Sequence, residues 1–308
     1  MDSRVGWGHC SEMTRVLVTG PTGFCGPPIV RALISAGYEI RVLARHQPTC
    51  LPAAVEIVTG DLSGMIDWPP LLDGVDFVVH LAAITASDAV TDIAYDRVNR
   101  GATEALARAA RDAGIKRFVF VSSVSAQSGA MAKSPLSEED DPRPQNAYGR
   151  SKLAAEQAVR ASGVPFTILR PVMIYGSEPR GYLARIARLA ALPIPLPFGS
   201  LRNRRSFLSL DNFASAILFV LHSEIAKGEV YLVADPEPVA LPDLLASFRR
   251  RLGRAPMLFP FPPAPLRWLA GGSGSELIVR PTKLMAAGWS PAGDTQTFLA
   301  QMLRSPAG

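Results

Sequence analysis

Short apolar runs alternate along this chain with stretches of helical spacing. RVLVTG at 15–20 is β-branched and closes on glycine, and IVRALISAG at 29–37 spaces its apolar residues three and four apart and ends on Gly37 as a C-cap. EIRVLAR, VEIVTGD and VDFVVHLAA read as further strands, a helix is predicted over 99–113, and RFVFVSS returns to strand. Strands without polar alternation are buried on both faces, as in a parallel sheet covered by helices. β-α-β units in series predict an α/β, doubly wound parallel sheet (Rossmann) over 14–176. Past residue 177 the alternation stops and prolines crowd 192–199 and 256–265. A smaller, mostly C-terminal substrate-binding lobe is expected over 177–308. The chain is expected to return to the first domain around 206–222, where FLSLDNFASAILFVL reads as strand then helix. Residues 1–13 carry no pattern and are expected to be a disordered lead-in.

Composition narrows the class. The 308 residues are 48% hydrophobic and 19% charged, enough for a substantial core. The most apolar stretch, FASAILFVL at 213–221, is about half the length of a membrane span, and the N-terminus lacks the apolar region of a secretory signal. A cytoplasmic protein without a membrane partner is expected. Cys10, Cys25 and Cys50 are odd in number and lack metal-ligand spacing, which suits a reducing compartment, and the four histidines are scattered, so no metal site is expected. The net charge of +5 suits an anionic small molecule. Arg249–Arg251 with Arg254 reads as the solvated face of a helix, without the interleaved aromatics of a nucleic-acid site.

Two stretches carry chemistry. Between the first strand and helix stands Gly20-Pro21-Thr22-Gly23-Phe24-Cys25-Gly26, a GxxGxxG loop where a dinucleotide diphosphate would meet free N–H groups. At the end of the second strand the chain offers Arg45 and no carboxylate; a guanidinium there pairs with a 2′-phosphate, which favours NADP over NAD. In NAYGRSKLAAEQ (146–157), Tyr148 and Lys152 stand four apart at the head of a helix. Such pairs are common surface neighbours. An ammonium beside a phenol also favours the phenolate, which makes the pair a candidate acid–base couple.

VTGPTGFCG, GDL (60–62), HLAA (80–83), Asn99, VSSVSA (121–126), YGRSK (148–152) and RPVMIYG (170–176) occur in an order that resembles the extended short-chain dehydrogenase/reductases, the nucleotide-sugar epimerase/dehydratase group. NRRSFLSLDNFASAI, GEVYLVAD and LPDLLASFRRRLGR are similar to its 4-ketoreductases and epimerases. The resemblance implies that Tyr148 exchanges a proton with a sugar hydroxyl, that Lys152 lowers its pKa, and that a serine assists. Ser123 is favoured, and Ser125 stays open because Gln127-Ser128-Gly129 replaces the usual Tyr-Gly. It also implies that Asp61 and Leu62 flank the adenine, that Leu81, Ala82 and Ala83 line the cofactor, and that Asn99 steadies the central strands or the lysine. Pro171 and Met173 would stand by the nicotinamide, and Arg205 would hold a nucleotide diphosphate. No carboxylates accompany the serines, which disfavours dehydration. The implied function is NAD(P)-dependent reduction of a 4-keto nucleotide sugar, with 4-epimerisation as the alternative and a non-catalytic NADP-binding sensor as a second one. A homodimer is implied through two helices bearing Leu106, Ala109 and Ala110, and Leu153, Ala154 and Ala158.

Overall fold

The computed structural model describes residues 14–301 apart from 88, 130, 133 and 263–275. The expected lead-in 1–13, with Cys10, lies outside the described residues, as does the end of the 256–265 proline stretch. In chain order the first half comprises β1 (Arg15–Thr19), α1 (Gly26–Ser35), β2 (Glu39–Ala44), β3 (Glu56–Thr59), α2 (Trp68–Leu72) and β4 (Phe77–His80). Then come α3 (Asp92–Tyr95), a π-helical turn Asp96–Gly101, α4 (Ala102–Asp112), β5 (Arg117–Val121), α5 (Ala147–Ser162) and β6 (Phe166–Pro171). The second half holds β7 (Met173–Tyr175), α6 (Gly181–Ala191), β8 (Arg204–Arg205), β9 (Phe207–Ser209), α7 (Leu210–His222), β10 (Val230–Val233), β11 (Val239–Ala240) and α8 (Leu241–Arg251). Short helices Thr282–Ala286 and Thr295–Gln301 follow.

Seven strands form one sheet in the order β10-β6-β5-β4-β1-β2-β3, with every pairing parallel. Val16, Leu17 and Val18 of β1 are fully buried, as are Val78, Val79, Phe118, Val119 and Phe120 of the neighbouring strands. This two-sided burial is what an unbroken apolar run predicts; each such side chain contributes about 1.5–3 kcal/mol. From β1 the chain winds one way through β2 and β3, and from β4 the other way through β5 and β6. The crevice between β1 and β4 is therefore the switch point where ligands of such sheets bind.

The return to the sheet has two parts. Residues 206–222 supply α7, which packs against α1 and β5, while β9 pairs with β7 outside the main sheet. The seventh strand is Val230–Val233, set beside β6. The lobe has its own core, in which Leu183, Ile186 and Ala190 of α6 meet Leu244, Leu245 and Phe248 of α8. The face expected to dimerise is partly core: Leu106 and Ala110 are fully buried in the cluster that holds Ala155 and Val159 of α5.

Candidate active site

The glycine loop divides its three glycines by task. Gly20 sits at φ +72, and a Cβ there would stand 2.7 Å from the Ala82 nitrogen. A Cβ on Gly26 would stand 2.3 Å from the Pro21 carbonyl. These two are glycine because protein backbone crowds them. At Gly23 nothing comes nearer than the Gly20 carbonyl, 3.5 Å away, and the residue is exposed. Its missing side chain opens the loop outward. Behind it α1 has Cys25 as its N-cap, without a side-chain cap or any acid in the first turn; the Gly26 N–H donates to the Gly23 carbonyl at 3.0 Å and Pro27 and Pro28 carry no N–H, so the helix offers the loop the positive end of its dipole. Dipole and space fit a dinucleotide diphosphate. Thr22 is exposed, Phe24 and Cys25 are half-buried, and burial pushes the Cys25 thiol up to about 12.

Leu81, Ala82 and Ala83 follow β4 half-buried, and the Ala82 N–H donates to Thr19 Oγ1 at 3.3 Å. Thr19 Oγ1 lies 2.6 Å from His80 Nδ1, and His80 Nε2 lies 2.8 Å from Thr103 Oγ1. Thr103 donates its hydroxyl hydrogen to the Asn99 carbonyl at 2.7 Å, so it accepts from Nε2, and Nδ1 accepts from Thr19. His80 is thus a neutral Nε2–H tautomer. Complete burial, with the nearby Lys152 charge, pulls it down to about 3. Asn99 sits in the π turn, and its amide binds the Ile84 carbonyl and the Ser151 hydroxyl, both at 3.0 Å, while its oxygen accepts from the Ile84 N–H at 2.8 Å. It ties the strand ends to α5 beside Lys152, by direct contact.

Ser122, Ser123 and Ser125 make different contacts. Ser122 turns inward and donates to Glu156, which forms a buried two-pronged pair with Arg170 at 2.9 and 2.6 Å. Arg170 also donates to Gln127 at 2.8 Å, which gives the unexpected glutamine a structural role. Ser123 accepts from the Ser125 N–H at 3.1 Å and is hydrogen-bonded to the Tyr148 hydroxyl. Ser125 contributes backbone: its carbonyl lies 2.2 Å from where a Gly149 Cβ would stand, so α5 can approach only with glycine there. The α5 N-cap is Asn146, whose side chain accepts from the Gly149 N–H at 2.7 Å.

Burial raises the Tyr148 phenol, the Ser123 bond opposes that, and the neighbouring Tyr95 and Cys25 raise it further. Lys152 is buried, donates to the Val121 carbonyl at 2.6 Å and lies 4.4 Å over the Phe120 ring. Desolvation lowers it to about 7, with Glu156 acting the other way. Tyr95 carries no motif in the sequence. Its ring centroid lies 6.1 Å from that of Tyr148, and its hydroxyl binds the Thr85 carbonyl at 3.1 Å and the Ser87 N–H at 2.9 Å.

At the adenine end, Arg45 is exposed and its charge acts on Asp61, which is held low chiefly by the Ser63 backbone N–H; Leu62 is half-buried. Arg41 instead turns into the protein, donating to the Leu71 and Asp73 carbonyls at 2.8 and 2.9 Å. Pro171 is buried on β6, and Met173 is 39% exposed at the start of β7. Arg205 is in the lobe on β8, 5.5 Å over the Tyr182 ring, and burial lowers it while Tyr182 raises it. Arg180 stacks on Phe24 of the glycine loop at 4.9 Å.

A glycine loop at the switch point, beside a serine, tyrosine and lysine on adjoining elements, is an arrangement that suits a dinucleotide-dependent enzyme. The chain belongs to the NAD dependent epimerase/dehydratase family, which it matches over residues 16–234. It is 31% identical over 258 residues to UDP-glucose 4-epimerase of Vibrio cholerae, covering 80% of this chain and 78% of that protein. It is 29% identical over 256 residues to N-acetyl-alpha-D-glucosaminyl-diphospho-ditrans,octacis-undecaprenol 4-epimerase of Escherichia coli O157:H7, covering 80% and 76%. The UDP-glucose 4-epimerase of Thermus thermophilus, solved with NAD, superposes with a TM-score of 0.73 at 26% identity over 94% of this chain and 97% of that one. The protein is accordingly an NAD-dependent enzyme of the epimerase/dehydratase type.

Proposed function

We propose that the protein is a 4-epimerase of a hexose carried on a diphosphate, acting by reversible oxidation at C4 with Tyr148 as acid and base. The observation that carries this reading is the desolvated Tyr148 phenol hydrogen-bonded to Ser123. Ser123 Oγ accepts the Ser125 N–H and keeps its own hydrogen, which it can give to Tyr148 so that the phenol's hydrogen goes to a substrate oxygen. Burial keeps the phenol protonated at neutral pH, ready to donate; the Ser123 bond stabilises the phenolate that forms when it has donated. The Lys152 ammonium adds positive charge at the same end of β5. Gly20, Gly23, Gly26 and the α1 N-terminus would hold the dinucleotide diphosphate, and Pro171 and Met173 would border its nicotinamide. When bound, that group supplies the hydride acceptor and donor. Arg205 would meet the substrate diphosphate, and a dimer through α4 and α5 would leave this site within each subunit.

The relatives support epimerisation, since both act at C4 of a diphosphate-linked sugar by name and align along most of the chain. The exposed Arg45 favours a second reading, an NADPH-dependent 4-ketoreductase. Incubation with UDP-glucose and NAD, followed by chromatography, separates the two. Formation of the C4 epimer without net change in nicotinamide absorbance is expected. Stoichiometric NADPH oxidation with a UDP-4-keto-6-deoxyhexose, and no epimer from UDP-glucose, would replace the first reading by the second.

A further inference from the structure

The lobe presents apolar side chains and positive charge together. Leu192, Ile194, Met257, Phe259 and Phe261 are each between 40% and 53% exposed, although the lobe core beneath them is closed by Leu196, Leu201 and Phe248. They stand on two proline-rich segments paired through Leu196 N–H to the Met257 carbonyl and Phe259 N–H to the Leu196 carbonyl, both 3.0 Å. One buried guanidinium fixes these segments. Arg249 donates to the carbonyls of Leu192 (3.1 Å), Ile194 (2.6 Å), Pro256 (2.8 Å) and Met257 (3.3 Å). Four carbonyls within reach of a single side chain hold together the two segments that carry these apolar residues. Met257, at φ +44, is the one non-glycine residue with positive φ among the described residues. Strain of that kind persists where the surroundings over-determine it, and Arg249 does so here.

The charge on the segments that carry these residues is predominantly positive. From Gly181 to Leu210 and from Leu244 to Phe261 the sequence contains no Asp or Glu. Arg185 and Arg188 on α6, Arg250 and Arg251 on α8, and Arg254 just beyond are all exposed, and α6 packs against α8. Exposed apolar side chains beside so many guanidiniums are unusual on a solitary soluble surface. A polar protein partner would leave the apolar side chains uncovered. A second copy would set arginines against arginines. An anionic lipid surface satisfies both features at once, taking the side chains among its acyl chains and the guanidiniums at its headgroups.

We propose that this face of the lobe docks peripherally on an anionic lipid bilayer. Among the described residues no helix is long and apolar enough to cross a membrane, so the attachment is to the surface. This revises the expectation of no membrane partner, which considered spanning segments alone. The proposal is independent of the reaction catalysed.

Co-sedimentation of the full chain with vesicles tests it, using phosphatidylcholine alone and phosphatidylcholine with about 30% phosphatidylglycerol, at low and high salt. Pelleting on the anionic vesicles should exceed that on neutral ones by about tenfold or more and fall with salt. Ile194→Asp with Phe261→Asp should abolish it, and Arg250→Glu with Arg251→Glu should weaken it at least about tenfold. Both variants should keep the wild-type melting temperature and dinucleotide affinity, which separates lost docking from lost folding. Equal pelleting on both vesicle types, or none, would overturn the proposal. So would a wild-type dimer in sedimentation velocity that Ile194→Asp with Phe261→Asp splits, since the patch would then join two copies.

Discussion

A neutral histidine sealed between two threonines gives stability a pH dependence of definite sign. His80 titrates near 3 in the fold and near 6.5 in the unfolded chain, so between those values the unfolded state binds more protons. Its contribution is present above about 6.5 and is lost as pH falls toward 3. His80→Gln, which can still accept from Thr19 and donate to Thr103, should flatten the acid limb of unfolding free energy against pH, by at most about 1.4 kcal/mol per pH unit. Equal slopes would show that His80 is not held neutral. Lys152 has the same sign in another window. Lowered to about 7 against an ordinary value near 10.4, it should make stability rise with pH across that interval, and Lys152→Met should remove the rise in chemical-denaturation curves. The tyrosine–lysine spacing was legible because four residues bring two side chains to one helix face. The contact of Ser123 with the Ser125 N–H was not, because it depends on the turn Val124–Ala126.

At the scale of elements, the site depends on one close approach. Gly149 lets α5 settle against the Ser125 carbonyl, and Ser125 supplies the N–H that orients Ser123. Gly149→Ala would press a methyl into a backbone atom that cannot rotate away. A loss of about 1–3 kcal/mol is expected by chemical denaturation, together with a fall in turnover as Ser123 shifts. An unchanged midpoint and rate would mean that the contact is slack. The sequence showed Gly149 only as a letter within YGRSK, since its need arises from a loop 24 positions earlier. The helix predicted over 99–113 begins instead at Asp92 and changes to π geometry at Asp96–Gly101, the turn that carries Asn99 to the strand ends. Such turns cluster at functional sites, yet side-chain periodicity does not distinguish them from α-helix.

At the scale of the molecule, the strands of the first half were legible because burial on both faces leaves unbroken apolar runs. Val230–Val233 has the same character, but the lobe segments inserted before it hide its place beside β6. A buried carboxylate holds this return together. Asp235 accepts from the Asn212 amide at 2.7 Å, the Ser209 N–H at 3.0 Å and the Tyr175 hydroxyl at 2.7 Å, joining β7, β9 and α7 where the lobe meets the sheet. Removing it leaves three donors buried without an acceptor, so Asp235→Leu should cost about 2–5 kcal/mol in a denaturant titration; a cost within error would show that water replaces the carboxylate.

The central claim is that Tyr148 moves the proton at the sugar hydroxyl, and Tyr148→Phe tests it most directly because it deletes one oxygen and leaves the ring beside Tyr95. The measurement is turnover of UDP-glucose to its C4 epimer by the dinucleotide-loaded protein, beside dinucleotide affinity measured by fluorescence. The account predicts a loss of about 10²–10⁴-fold in turnover with affinity unchanged. Turnover at the wild-type rate would contradict it and assign the proton to another group.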